Sequence, residues 1–458
     1  MRQLFTVAEI VAATGGRLLQ GSPATPVRGF AWDSRNVKPG DCFVAMPGER
    51  VDGHEYADKA AVAGAALILA GRPVAAGTAA AVVQVPDPLL ALGVLGRRHR
   101  ERYPIPVVGV TGSVGKTTTK ELIAAVLAER FEVFRSIGNL NSEVGLPATL
   151  MGLDTQHEVA VLEMGMRALG EIQYLVSIAR PSVGVVTNVG LTHLELLGTQ
   201  ANIALAKSEL VRGLPPDGAA VLTADDPLVA AMASVSPLQV WFYGFEARAK
   251  GDRWVTATDI RRDGETGQRF TLVTSVGAAE AVLPAPGRHN VLNAMAAAAV
   301  GLELGMSLAE AAAGIAAYVP SGNRMRILDL DGVRVLDDTY NAAPASVIAA
   351  LGVMRDLAGP AGRCVAVLGD MFELGAAAEE GHRQVGREAG LLADRVFAVG
   401  DLARLIAAEV GAKASWNAAK PEAIAALLSE VRPGDTVLVK GSRGMAMEEI
   451  VSALENRS

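Results

Sequence analysis

A lysine and a threonine at the head of a helix, preceded by small residues and an apolar strand, can hold the phosphates of a nucleotide. Residues 111–120, TGSVGKTTTK, have this form directly after the apolar run IPVVGV (105–110). Main-chain N–H groups of Thr111, Gly112, Ser113, Val114 and Gly115 can converge on phosphate oxygens, and a helix N-terminus behind them favours an anion. Lys116 suits the β and γ phosphates, Thr117 a magnesium ion, and Thr118 continues the turn. The strict GxxxxGK[ST] pattern is not met, because Val110 occupies its first glycine position. The plainer alternative is a glycine-rich strand-to-helix turn containing GKT by chance. Glu163 ends the apolar run EVAVLEM and His193 follows SVGVVTN, and ligands bind at the carboxyl ends of strands in α/β sheets. Taken singly, a strand-end glutamate is often only solvated, a lone histidine is often structural, and imidazole suits softer metals than magnesium.

Those residues need a scaffold. The chain has 458 residues, half of them apolar and 4% aromatic, which predicts two or three domains with cores of Ala, Val and Leu. A net charge of −7 opposes broad nucleic-acid binding. Two cysteines far apart, Cys42 and Cys364, oppose a disulfide framework or a thiolate zinc site. The N-terminal segment lacks the apolar run of a signal peptide, and the apolar stretches near 60–70 and 300 are too short or too interrupted to span a bilayer. A reduced, cytoplasmic, monomeric protein without membrane insertion is expected.

Three blocks follow from the pattern. Residues 1–98 hold short apolar runs at 43–46, 66–70 and 81–85 around a helical segment. Residues 99–319 alternate strands and helices, predicting a parallel sheet, then change to a hairpin pattern over 254–274 and an alanine-rich helix pair over 289–318. Residues 320–458 begin with the linker-like PSGNR and show four strands alternating with helices, at RVLDD, RCVAVLGD, DRVFAVGD and DTVLVKGS. That predicts a doubly wound, Rossmann-like sheet. The fold class is α/β in three domains, with a hinge expected near 320–323.

TGSVGKTTTK, LEMG, TNVGLTHLELLG and GRHNVLNAMAA together resemble the ATP-dependent Mur ligases, which build the peptide of bacterial peptidoglycan. DSRNVKPGDCFVAMPGERVDGHEYADKAAVAGA resembles the UDP-sugar-binding domain of the members that add the third residue or the final dipeptide. DDTYNAAPAS, VLGDMFELG, GNLNSEVGLPATL and VKGSRGMAMEEIV resemble the dipeptide-adding branch, with Ala343 and Ser142 where asparagine is usual. The DNPR motif typical of diaminopimelate-adding members is absent. The resemblance implies an N-terminal UDP-muramoyl domain, a central P-loop ATPase-like domain and the C-terminal Rossmann-like domain. It implies that ATP phosphorylates the carboxylate of a UDP-N-acetylmuramoyl tripeptide and that the amine of D-Ala-D-Ala displaces the phosphate.

The resemblance also carries site residues. It places Thr117 and Glu163 on one Mg²⁺ and His193 on a second, and matches Lys207 to a lysine that relatives carry as a carbamate; standing alone, Lys207 reads as an exposed helical lysine. Asn290 and Asn293 match adenosine contacts, Arg324 a phosphate contact and Asp338 a ribose contact. Ser34 and Arg35 match the UDP-sugar side, and Asn141 and Ser142 the muramoyl side. Lys440, Ser442 and Arg443 belong to the third-domain crevice without a definite ligand. Tyr340 and Asn341 face either the dipeptide or the nucleotide. The competing readings are a ligase adding one third residue, a folylpolyglutamate synthetase-like ligase and a non-catalytic nucleotide switch.

Overall fold

The computed structural model describes residues 2–48, 51–75, 77, 80–138, 140–235, 239–264, 266–320 and 322–457. Ser321, inside the expected hinge, lies outside them. Three α/β sheets succeed one another along the chain. In the first, Arg17–Gln20, Ala81–Gln84, Leu67–Ala70, Asp41–Ala45 and Gly29–Ala31 lie side by side, antiparallel only at the Arg17–Gln20 edge. Asp41–Ala45 and Leu67–Ala70 are buried on both faces, which is why they read as continuous apolar runs rather than alternating ones.

The second sheet has nine strands. Val107–Thr111 is the third strand from one edge, with Val159–Glu163 on one side and Val183–Val186 on the other, all parallel. This order puts the phosphate loop, Glu163 and the loop leading to His193 at neighbouring strand ends. The sheet continues through Ala219–Thr223, Gln239–Tyr243 and Arg253–Asp263, then folds back through Gly267–Thr274 and Gly277–Leu283. The expected hairpin is therefore part of a three-stranded extension. Helices Arg288–Glu303 and Leu308–Ala316 pack on the phosphate-loop helix Lys116–Leu127. A run of alanines in Arg288–Glu303 is fully buried there, so these small side chains allow close helix contact.

The third sheet orders Arg326–Leu330, Val333–Asp337, Asp435–Lys440, Arg363–Gly369, Arg395–Val399 and Ala414–Asn417. Its four expected strands are joined by two edge strands, the first antiparallel and the last parallel. Both edges are only partly buried, so their sequences lack a strong apolar signal.

One helix, Pro88–Arg100, runs through the predicted boundary at residue 98. Its Leu92 and Leu95 belong to the first core. Its other face meets helices Gly145–Leu150 and Glu171–Ala179 of the second sheet's layer. Gly93 and Gly96 make that approach possible: a Cβ on Gly96 would stand 2.8 Å from Pro147. Arg100 Nε donates to the Ala179 carbonyl at 3.0 Å, and the His99 ring lies 2.8 Å from the Leu153 carbonyl. Among the described residues, no helix is long and apolar enough to cross a membrane.

Candidate functional site

The phosphate loop is held open by its neighbours. Gly115 caps helix Lys116–Leu127 at φ 84°, and Gly112 has φ 149°. A side chain on Gly112 would collide with Thr187, so glycine is needed for both conformation and space. Asn188 accepts from Val114 N through Oδ1 and donates to the Val114 carbonyl through Nδ2, each at 2.9 Å. Thr187 Oγ1 donates to the same carbonyl at 2.7 Å, and Ser113 Oγ accepts from Gly190 N at 2.8 Å. Sequence reasoning quoted TNVG but missed Thr187 and Asn188 as supports of the loop; their signal was two polar residues at the end of a buried strand.

Lys116 Nζ donates to the Gly112 carbonyl at 2.8 Å and to the Ser113 carbonyl at 3.3 Å. Desolvation pushes its amine below the usual lysine value, Glu163 opposes that shift, and Arg324 adds to it. Glu163 is buried at the end of its strand. Its Oε2 accepts from Thr117 Oγ1 at 2.6 Å, its Oε1 from Asn141 Nδ2 at 2.7 Å, and Ser136 Oγ accepts from its main-chain N at 3.2 Å. A hydroxyl and a carboxylate in contact, beside a lysine at a glycine-rich turn, suit Mg²⁺, which keeps waters and shares substrate phosphates rather than needing a protein cage. No group of three or more His, Cys, Asp or Glu forms a metal cage among the described residues.

His193 adopts a left-handed conformation, φ 66°, at the head of helix Leu194–Leu197. Its Nδ1 lies 2.8 Å from Glu373 Oε2, a residue of the third sheet's unit. Lys207, on helix Gln200–Arg212, is 1% exposed, which removes the reading of a solvated helical lysine. Burial lowers its amine well below the usual value, and the Lys116 charge adds to the effect.

Asn290 and Asn293 are buried one helical turn apart. Asn293 Oδ1 accepts from Thr119 Oγ1 at 3.1 Å and its Nδ2 donates to Asn290 Oδ1 at 3.3 Å, so the pair backs the phosphate-loop helix. The Arg324 guanidinium lies over the Tyr340 ring, 3.8 Å from its centroid, a cation–π contact that restrains its direction. Asp338 is paired with Lys440 and also accepts from Met325 N at 3.2 Å. Lys440 is 3% exposed and also donates to the Asn341 carbonyl at 2.8 Å. It therefore neutralises Asp338 instead of opening to solvent. Ser442 is similarly engaged, accepting from Phe372 N at 2.8 Å. Arg443 is exposed and paired with Glu448 at 2.7 Å. Asn341, Glu373 and Arg443 line a small cavity of about 110 Å³ with Thr192, where second and third units meet.

The first unit bears a much larger cavity, about 1100 Å³, lined by Ser34, Arg35 and Trp32 and reached by Glu143 and Val144 from the second. Asn141 and Ser142 do not line it: Asn141 is on Glu163, and Ser142 Oγ accepts from Gly145 N at 3.3 Å at the start of a helix. Two of the cavity's cations are paired, Arg35 with Asp33 at 2.7 Å and Arg72 with Asp52 at 2.9 Å. Lys59 has no ion-pair partner among the described residues. Sequence reasoning missed it because one lysine on a short amphipathic helix carries no distinctive pattern.

Residues 26–100 match the model "Mur ligase family, catalytic domain", 110–301 "Mur ligase middle domain" and 323–443 "Mur ligase, glutamate ligase domain". The chain is 38% identical over 457 residues to the UDP-N-acetylmuramoyl-tripeptide–D-alanyl-D-alanine ligase of Escherichia coli K12, covering 98% of each chain. A crystal structure of MurF from Acinetobacter baumannii superposes with a TM-score of 0.91 at 33% identity, covering 99% of each chain. MurF from Thermotoga maritima in complex with ADP matches with a TM-score of 0.83 at 30% identity, over 94% of this chain and 98% of that one. With three α/β units, a phosphate loop braced between neighbouring strands and end-to-end similarity, the chain belongs to the Mur ligase family.

Proposed function

We infer that the chain is an ATP-dependent ligase that joins D-alanyl-D-alanine to a UDP-N-acetylmuramoyl tripeptide in peptidoglycan precursor synthesis. The observation carrying this reading is its 38% identity, over 98% of both chains, to a ligase named for that reaction. The proposed units are 1–98, 99–319 and 320–458, the first boundary falling within helix Pro88–Arg100. The cytoplasm, where ATP and UDP-linked precursors meet, is the proposed location, and a monomer the proposed state.

A carboxylate resists attack by an amine because its charge repels the nucleophile and oxide is a poor leaving group. Transfer of the ATP γ-phosphoryl group supplies phosphate as leaving group. Lys116 leaves its loop carbonyls and holds β- and γ-phosphate oxygens, while the loop N–H groups cradle the chain. Thr117 and Glu163 would hold one Mg²⁺, with Asn141 fixing the carboxylate, and His193 would hold a second. Bound magnesium screens the two anionic reactants and stabilises charge developing in the transfer. Lys207, buried and held toward its neutral form, is suited to adding CO₂ as a carbamate, which would place an anion beside the Lys116 charge. Arg324 supplies a phosphate contact from the third unit. Asn290 and Asn293 form the adenosine side and Asp338, neutralised by Lys440, the ribose side. The amine then attacks the acyl phosphate, and closure of the third unit protects it from water.

Incubation with ATP, Mg²⁺, each UDP-muramoyl peptide, and either D-Ala-D-Ala or single amino acids tests the reading by product mass. A gain of one dialanyl unit is expected only on the tripeptide, with phosphate release dependent on the amine. A gain of one amino acid on a dipeptide substrate would transfer the assignment to the third-residue branch.

The large cavity is the proposed UDP-muramoyl pocket, and Lys59 its unengaged cation for the diphosphate. Lys59→Ala should raise KM for the UDP substrate about tenfold while kcat changes less than about threefold, the pattern of lost ground-state binding. A steady-state titration reads it, and an unchanged KM would remove Lys59 from the pocket's recognition groups.

A further inference from the structure

Glu373 belongs to the third unit yet reaches the histidine of the second. Its Oε2 lies 2.8 Å from His193 Nδ1. The main chain supports the approach: Glu195 N donates to the Glu373 carbonyl at 3.4 Å. Gly375 fits so closely that an added Cβ would stand 2.8 Å from Glu195 Cα. Leu191, two residues before His193, packs against the third unit's core. The contact therefore lies within an interface, rather than at the tip of one wandering side chain.

Two details favour a working arrangement over a passing ion pair. His193 and Glu373 both have positive φ, 66° and 63°, without being glycine. Such conformations cost free energy and persist where the surroundings impose them, often at functional sites. His193 Nδ1 is also buried without a well-angled hydrogen bond. A carboxylate 2.8 Å away is thus its available acceptor, and catalytic hydrogen bonds commonly align only when substrates are bound. A carboxylate on Nδ1 fixes the ring's rotation and tautomer, leaving the Nε2 lone pair for the opposite side.

We propose that Glu373 is a positioning residue that orients His193 across the interface, so that the histidine gains its working geometry only with the third unit seated. This rests on the ligase reading above. It makes domain seating a condition for phosphoryl transfer, not only a barrier to water. Glu373 is 49% exposed, and half-exposed ion pairs contribute little to stability. A positioning role and a structural role therefore predict different outcomes on substitution.

The test compares Glu373→Ala, Glu373→Gln and Glu373→Asp with the parent, each also in a His193→Ala background. Positioning predicts that Glu373→Ala lowers kcat about tenfold or more, with KM for ATP and the UDP substrate within about threefold and the thermal midpoint unchanged. Glu373→Gln, which retains an acceptor oxygen, should recover part of the loss. Glu373→Ala should cost nothing further once His193 is alanine. Hydrogen exchange in the ligand-free protein should quicken at residues 191–196 in Glu373→Ala. A kcat within about twofold of the parent, or an equal loss with and without His193, would overturn the proposal. Should Glu373→Ala fold poorly, Glu373→Gln decides on the same criteria. Absence of the dialanyl product from the parent would instead refute the ligase reading.

Discussion

Replacing Lys116 with alanine is expected to lower kcat/KM for ligation on the order of 10³-fold or more, the scale of losing a preorganised charge from phosphoryl transfer. Lys116 Nζ donates to the carbonyls of Gly112 and Ser113. It can exchange those bonds for phosphate oxygens without rearranging the scaffold, because Asn188, Thr187 and Ser113 hold the loop through other bonds. The same independence predicts that Lys116→Ala leaves the thermal midpoint within about 2 °C of the parent, since a partly exposed group bound only to its own loop contributes little. Lys116→Arg should not restore activity, because a planar fork does not replace a compact ammonium in this space. Coupled measurement of ADP release and circular dichroism checks both halves. Activity within about tenfold of the parent would show that the loop does not use its lysine on phosphate.

Lys207→Met should separate activity from stability. Lys207 is 1% exposed, and no hydrogen bond or ion pair to it is found among the described residues. Burying an unpaired amine is costly, so methionine of similar length should raise the unfolding midpoint. Burial and the nearby Lys116 hold the amine's folded pKa well below the usual lysine value. Between the folded and unfolded pKa values the unfolded chain binds more protons, so parent stability rises with pH there and the penalty is complete below the folded value. The advantage of Lys207→Met in CO₂-free buffer should accordingly be larger near neutrality and shrink as pH approaches the unfolded value. Activity should move oppositely, falling about 10²-fold or more if the residue supplies a carbamate's negative charge to the centre. With ¹³C-labelled bicarbonate, the parent should show a carbamate carbonyl signal that Lys207→Met lacks and that acid abolishes. A destabilised but active Lys207→Met would contradict both arguments.

The sequence made the centre of the site legible where chemistry dictates residue type. The apolar strand, Gly112, Gly115, Lys116 and Thr117 form one uninterrupted segment, and Glu163 closes a buried strand that lies beside it. Residues whose role depends on packing were harder to place. Lys207 looks solvated in sequence and is buried because Gln200–Arg212 lies against the sheet. Asn141 and Ser142 are adjacent, yet one turns to Glu163 and the other starts a helix. Lys440 seemed free for a ligand until its neighbouring strand brought Asp338 against it. At fold level, Ala219–Thr223 escaped notice because two alanines dilute its strand signal, although the segment is buried throughout. The short strand Val133–Arg135 and the outer strands of the third sheet carry too little apolar pattern to stand out.

If the large cavity anchors the substrate's nucleotide as proposed, helix Pro88–Arg100 makes the enzyme a gauge. Because it is embedded in both the first core and the second unit's helices, its cavity-lining end at Pro88 and Leu89 stands at a set separation from the phosphate loop. A substrate anchored by its nucleotide must span that separation with its own peptide stem, and each extended residue adds about 3.5 Å. A stem one residue short leaves its carboxylate stranded by that distance, so the rigid crosspiece can count amino acids without touching any of their side chains.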